Sequence, residues 1–167
     1  VSKAMSDVFS GGNVIFSPEK SQEVIYGLLN ALEKKKFEGS IAEAAKFLNE
    51  NKSKPGIISL PSGLQYEVLS AGTGAKPVST DEVTVHYKGT LTNGMQFDSS
   101  YDRGEPTSFV LNQVIPGWTE GLQQMSVGSK YRFFIPYALA YGERGAGKDI
   151  PPYSTLIFEV ELIKIGK

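Results

Sequence analysis

Val83-Thr84-Val85-His86-Tyr87-Lys88-Gly89-Thr90-Leu91-Thr92-Asn93-Gly94-Met95-Gln96-Phe97-Asp98 carries the pattern that decides the fold. Val83, Val85 and Tyr87 alternate with polar neighbours, the period of a strand with one buried face. Thr92-Asn93-Gly94 then reads as a hairpin turn. The same alternation recurs in Leu64, Tyr66 and Val68, in Tyr131, Phe133 and Ile135, and in Leu156, Phe158, Val160 and Leu162. Ser126-Val127-Gly128 reads as a second turn. Between these runs, Pro116 to about Gln124 spaces Trp118, Leu122 and Met125 for one apolar helix face. One short helix lying across a curved antiparallel sheet is an α+β arrangement.

Upstream, residues 1–54 read as helix, and residues 57–167 form the strand-rich domain. Ser17-Pro18-Glu19 is a helix start: Ser caps free N–H groups, Pro fits the first turn and Glu suits the positive end of the dipole. Ile25, Leu28, Leu29 and Leu32 form one apolar stripe, and Ile41, Ala44, Ala45 and Leu48 a second. The phase slips between Leu32 and Phe37, where Lys34, Lys35 and Lys36 intervene. The pattern predicts a long helix from 18 to about 52, with a break near Gly39. Its ~34 residues would extend roughly 50 Å. Lys54-Pro55-Gly56 ends it. The stripe needs a cover: the strand-rich domain, the short segment around Phe9 and Ile15, or a second chain.

Composition closes several routes. Lys and Arg total 17 against 18 Asp and Glu, a net charge of -1, so no global basic field draws in nucleic acid. Without Cys there are no disulfides, no thiol nucleophile and no thiolate metal site. No apolar run approaches the roughly 20 residues needed to span a bilayer. Val1 at the start reads as a removed targeting segment or a trimmed chain.

His86 is the only histidine and falls on the polar face of its strand, where a solvent-side position is the plain expectation. One His and no Cys leave no His-based triad and no ordinary zinc site, and no metal or cofactor is expected. Gly142-Glu143-Arg144-Gly145-Ala146-Gly147-Lys148 looks like a phosphate loop, but it lacks the Gly-Lys-Ser/Thr ending and precedes Pro151-Pro152 rather than a helix. Gly72-Thr73-Gly74 and the acceptor triplet Asn51-Lys52-Ser53 are equally weak. Lys34–Lys36 reads as a solvated helix face, and no Ser sits in a Gly-x-Ser-x-Gly elbow.

What remains is a set of aromatic residues with few polar groups. Tyr87, Phe97, Trp118, Tyr141 and Phe158 recur at turns and strand ends, with Asp98 directly after Phe97. Alternating aromatic residues ordinarily serve as core. An acid beside a core Phe is less easily explained that way, because an unpaired buried carboxylate is costly. An aromatic pocket with so few polar groups suits a neutral, apolar ligand.

Val83 to Leu91 with Asn93-Gly94 and Phe97-Asp98-Ser99-Ser100 resembles the FKBP family of peptidyl-prolyl isomerases, which bind macrolide drugs. Val114-Ile115-Pro116-Gly117-Trp118, Glu120-Gly121-Leu122 and Met125-Ser126-Val127-Gly128 extend the likeness. Pro136 to Tyr141-Gly142, Ile150-Pro151-Pro152 and Thr155 to Leu162 complete it, in consistent order over about residues 57 to 167.

The resemblance implies an FKBP-like twisted antiparallel sheet wrapped around a short helix, here preceded by a long N-terminal helix. It implies catalytic positions at Tyr87, Phe97, Asp98, Tyr141 and Phe158. Substrate-binding positions fall on Arg103, Phe109, Val114, Ile115, Trp118 and Ile150. Trp118 is then the floor under a proline ring, with Tyr87, Phe97 and Phe158 as walls. The Ile115 N–H and the Tyr141 hydroxyl are donors to ligand carbonyls. Asp98 accepts from a bound ligand and is held by Tyr87 or Arg103. Thr107, Leu139 and Ala146 depart from the family's usual residues, and the link from Leu111 to Val114 is short, which bears on substrate preference.

The implied activity is acceleration of rotation about X-Pro bonds in proline-containing polypeptides, open to macrolide inhibitors. The alternatives are a chaperone module that docks proline-containing ligands without required turnover, and a partner-binding protein whose function resides in the helix. Residues 1–54 are similar to the end of the helical module of Mip-like bacterial proteins. That likeness implies a homodimer through the helix and a place in the bacterial periplasm or cell envelope, with the cytoplasm left open.

Overall fold

A computed structural model of the protein describes residues 18–166. Phe9, Ile15 and the capping Ser17 lie outside the described residues. Compactness divides the chain between Glu38 and Gly39, upstream of the 54–57 boundary drawn from composition.

In the first unit, helix α1 (Pro18–Lys36) carries Glu19 in its first turn and Lys34, Lys35 and Lys36 in its last. Both charges complement the helix dipole. Val24, Ile25, Tyr26, Leu28, Leu29 and Leu32 are all exposed. The helix stops at Phe37, whose N–H is shared between the carbonyls of Glu33 and Lys34, each at 3.2 Å. The break falls at Phe37, close to Gly39, near which it was expected. It marks the point where the apolar phase slips.

Helix α2 (Glu38–Asn51) follows. Within the second unit it is tied to the sheet by a buried amide pair. Asn51 Nδ2 donates to Gln65 Oε1 at 3.0 Å, and Gln65 Nε2 donates to the Leu48 carbonyl at 2.9 Å. Phe47 packs against Phe134, ring centroids 6.1 Å apart.

The sheet has seven strands, β1 (Ile57–Ser59), β2 (Gln65–Ser70), β3 (Glu82–Leu91), β4 (Gln96–Ser99), β5 (Thr107–Val110), β6 (Lys130–Ile135) and β7 (Leu156–Gly166). Their order is β1-β2-β6-β7-β3-β4, with β5 pairing β3 as well, and every pairing is antiparallel. β4 pairs with β3 at Lys88–Thr90 and β5 with β3 at Glu82–Val85, so the two short strands share one edge of β3. A one-turn helix, α3 (Ser100–Arg103), joins them; the Ser99 side chain accepts from the Asp102 N–H, and Gly104 closes it at φ 75. The turn between β3 and β4 is the expected one, with Gly94 at φ 86 and Asn93 Oδ1 accepting from the Met95 N–H.

Helix α4 (Pro116–Leu122) lies against the buried sheet face, where Trp118 and Leu122 join Leu64, Val83, Val85, Met125, Phe133, Ile135, Leu156, Val160 and Leu162 in one core. Gly121 is needed there, because a Cβ would stand 2.7 Å from the Phe133 ring. The other face is charged. Arg132 on β6 reaches Glu67 on β2 (3.1 Å) and Glu159 on β7 (2.7 Å), as direct cross-strand pairs. His86 is half-buried rather than solvent-side. It stacks on Tyr101 at 4.6 Å and bonds Ser100 Oγ through Nδ1 at 2.9 Å.

Candidate functional site

Where β3, β4, β5 and β7 curl over α4, they leave a pocket of about 700 Å³. Its base is Trp118, brought there by Pro116 at the first turn of α4; the Ile115 carbonyl accepts from the Trp118 and Thr119 N–H groups at 2.9 and 3.1 Å. Tyr87 and Phe158 meet the indole edge-on at 5.0 and 5.1 Å, and Phe109 meets it at 5.1 Å. Phe97 in turn stands edge-on to Phe158 at 5.4 Å. These are favourable ring geometries, contributing about 0.5–1.5 kcal/mol each beyond area burial. Gly89 allows the arrangement, since a Cβ there would lie 2.6 Å from Phe97 and 2.7 Å from Phe158. The indole Nε1–H is buried and has no partner among the described residues.

The polar part of the wall is one braced acid. The Tyr87 hydroxyl donates to Asp98 Oδ2 at 2.5 Å, and Arg103 Nη1 donates to Asp98 Oδ1 at 2.5 Å. Arg103 Nη2 also donates to the Tyr87 hydroxyl (2.9 Å) and to Thr107 Oγ1 (3.2 Å). Burial raises the Asp98 carboxyl. The bonds from Tyr87 and Arg103, the guanidinium charge and the Ser99 backbone together outweigh it and hold the group below its ordinary 3.8. A depressed carboxyl contributes stability above its unfolded pKa and loses it as pH falls through the folded value. Asp98 is thus an anion across the neutral range, and its contribution fades only in acid. Burial, then the Asp98 bond, push the Tyr87 hydroxyl above 10.0, and Arg103 opposes them less strongly, so Tyr87 stays a donor.

The rim is a closed loop. Ala146 and Ile150 exchange N–H···O bonds of 2.8 and 3.1 Å, and the flanking Gly145 and the enclosed Gly147 take φ 68 and 56. The Gly-rich run is therefore a tight hairpin at the pocket mouth. Tyr141, Ala146, Asp149 and Ile150 line the pocket from this loop. Neither the Tyr141 hydroxyl nor the Ile115 N–H has a hydrogen-bond partner among the described residues. Also among the described residues, no group of three His, Asp or Glu is placed to hold a metal ion.

Residues 73–163 match the family described as FKBP-type peptidyl-prolyl cis-trans isomerase. The chain belongs to this family. Residues 1–68 match the domain amino terminal to FKBP-type peptidyl-prolyl isomerase. Among FKBP-type relatives, the chain is 57% identical over 143 residues to the isomerase FkpA of Aeromonas hydrophila, covering 83% of this chain and 53% of that protein. It is 47% identical over 174 residues to the outer membrane protein MIP of Legionella longbeachae, covering 100% of this chain and 75% of that one. The chain thus spans about half the length of the first relative. The crystal structure of FkpA from Escherichia coli superposes with a TM-score of 0.76 at 37% identity, over 98% of this chain and 79% of that one. The FKBP-like α+β fold with N-terminal helices is thereby established.

In this FKBP-type domain, Tyr87, Phe97, Asp98, Phe109, Val114, Ile115, Trp118, Tyr141, Ile150 and Phe158 all line the one pocket. Arg103 does not line it; it stands behind the wall, bracing Tyr87 and Asp98. Gln113 and Asp149 also line the pocket and went unpredicted. Both are exposed, Gln113 ending a 3-10 turn over Leu111–Gln113 and Asp149 in the rim loop, and neither has a periodic signal. Thr107 and Ala146, read only as departures from the family, are lining residues too, and Thr107 accepts one of the Arg103 bonds.

Proposed function

We propose that this pocket catalyses rotation about X-Pro bonds by holding the proline ring on Trp118 and favouring the twisted amide over the planar one. The observation carrying this reading is the nearly buried indole boxed by Tyr87, Phe109 and Phe158 at the base of a surface pocket. The rotation barrier is about 18–20 kcal/mol, because the twisted state loses amide resonance. Uncatalysed exchange takes tens to hundreds of seconds. No covalent bond is made or broken, so the work is geometry and solvation. The planar amide is the more dipolar form, and water solvates it better. A dry aromatic site withdraws that advantage. The Ile115 N–H and the Tyr141 hydroxyl, both without partners among the described residues, would fix neighbouring carbonyls in a twisted geometry. Asp98, held from behind by Arg103, keeps Tyr87 in the wall. Each ~1.36 kcal/mol of preferential stabilisation is tenfold in rate.

The test is exchange of a proline-containing peptide with and without a macrolide competitor. Acceleration that the macrolide abolishes supports the reading. Tyr141→Phe removes one donor while keeping the ring, and is expected to slow exchange about three- to tenfold, the size of one hydrogen bond. No acceleration by the unaltered protein would sink the proposal.

Residues 57–167 would then be the isomerase domain and residues 1–54 the spacer. The exposed Ile25, Leu28, Leu29 and Leu32 on α1 support a homodimer through that helix. Light scattering is expected to give twice the chain mass; a monomer at high concentration rejects it. The likeness to an outer membrane protein supports a bacterial envelope location.

A further inference from the structure

Two carboxylates line the pocket, and only one is compensated. Asp98 has the Arg103 guanidinium at its back and the Tyr87 hydroxyl on its second oxygen. Asp149 is exposed at the rim, and among the described residues its carboxylate has no hydrogen bond and no ion pair. No Lys or Arg lines the pocket; Arg144 and Lys148 belong to the same loop but stand outside it. The backbone on the C-terminal side of Asp149 is fixed, because Ile150 is bonded to Ala146 through both its N–H and its carbonyl. A single unneutralised charge is thus held at the mouth of an apolar cleft. Low-dielectric walls focus its field into the space where a bound chain must run.

From this we infer that Asp149 is a specificity-determining residue, selecting proline-containing chains with a cationic side chain next to the proline. The inference rests on the isomerase reading of the pocket. A neutral ring in the socket leaves the flanking residues of the substrate at the rim. A Lys or Arg there meets Asp149, whereas a Glu or Asp is repelled. The pair is exposed, so the preference is modest, roughly two- to fivefold in kcat/KM. It is also sensitive to salt, since at about 1 M the screening length falls to roughly 3 Å.

The experiment compares peptides with Lys, Glu or Leu immediately before proline, and a second set with the same residues immediately after it. At low salt the unaltered protein is expected to prefer Lys over Glu about two- to fivefold in at least one set. Asp149→Asn should bring that ratio close to one, as should about 1 M salt. Asp149→Lys should invert it. The ratio within each variant is the readout, so a general loss of activity does not imitate the effect. The inference is overturned if the unaltered protein shows no Lys preference in either set, or if the ratio survives Asp149→Asn. Failure to accelerate even the Leu peptide would overturn the isomerase reading itself and this inference with it. Acceleration of the Leu peptide with no charge preference would overturn this inference alone.

Discussion

Asp98→Ala is expected to lower kcat/KM for a proline-containing peptide by about tenfold or more while costing folding no more than about 1.5–3 kcal/mol, so the protein stays folded. The two effects separate for a physical reason. The Asp98 and Arg103 side chains are 41% and 44% exposed, so their pairing contributes little to stability. The carboxylate's other task is positional: it accepts the short Tyr87 bond that holds one wall of the pocket against Trp118. A charge-assisted hydrogen bond contributes about 1.5–3 kcal/mol, and a wall displaced in the twisted state costs rate at about 1.36 kcal/mol per tenfold. Phe97→Ala should have a similar effect by a different route. It removes a ring that stands edge-on to Phe158 and lines the pocket, with no charge change. Both variants would be read by peptide exchange rate beside urea denaturation. Unchanged rates in the two variants would mean that these residues do not form the working surface.

Phe133→Ala should do the opposite, costing about 3–5 kcal/mol of stability. Phe133 is fully buried, and Tyr66 and Tyr131 surround it at 6.2 and 6.0 Å. It also rests on Gly121 of α4. No neighbour is free to fill the space, because Gly121 has no side chain and the two tyrosines already stack on each other at 5.5 Å. Against a typical total of 5–15 kcal/mol, this loss moves the urea midpoint far down at an unchanged slope. A shift worth less than about 1 kcal/mol would show that α4 does not depend on this contact.

The long strands were legible because the sheet buries one face: β7 alternates through Leu162, whereas β6 ends buried on both faces because Phe47 of α2 packs on Phe134. In β2 the alternation fails where the backbone is irregular. Val68 was read as inward with Leu64 and Tyr66, yet it is 41% exposed, beside a register shift between Val68 and Ser70. Strands β4 and β5 have four residues each, too few for a periodic signal. The helical half was read as one element with a break near Gly39. The interruption falls at Phe37, close to that point, and Gly39 itself is accommodated within α2. Among pocket residues, the aromatic ones carried a sequence signal because rings are scarce and costly to expose. Gln113 and Asp149 carried none, being ordinary exposed polar residues that only the folded chain brings to the mouth.

The hairpin that ties Ala146 to Ile150 also has a consequence for how this domain can diversify. The lip is closed by its own bonds and pinned to the core through Ile150 and Ala146, so the exposed side chains it displays can be exchanged like a fitting. The rim position of Asp149 can therefore change its side chain while the aromatic box underneath keeps the same dimensions.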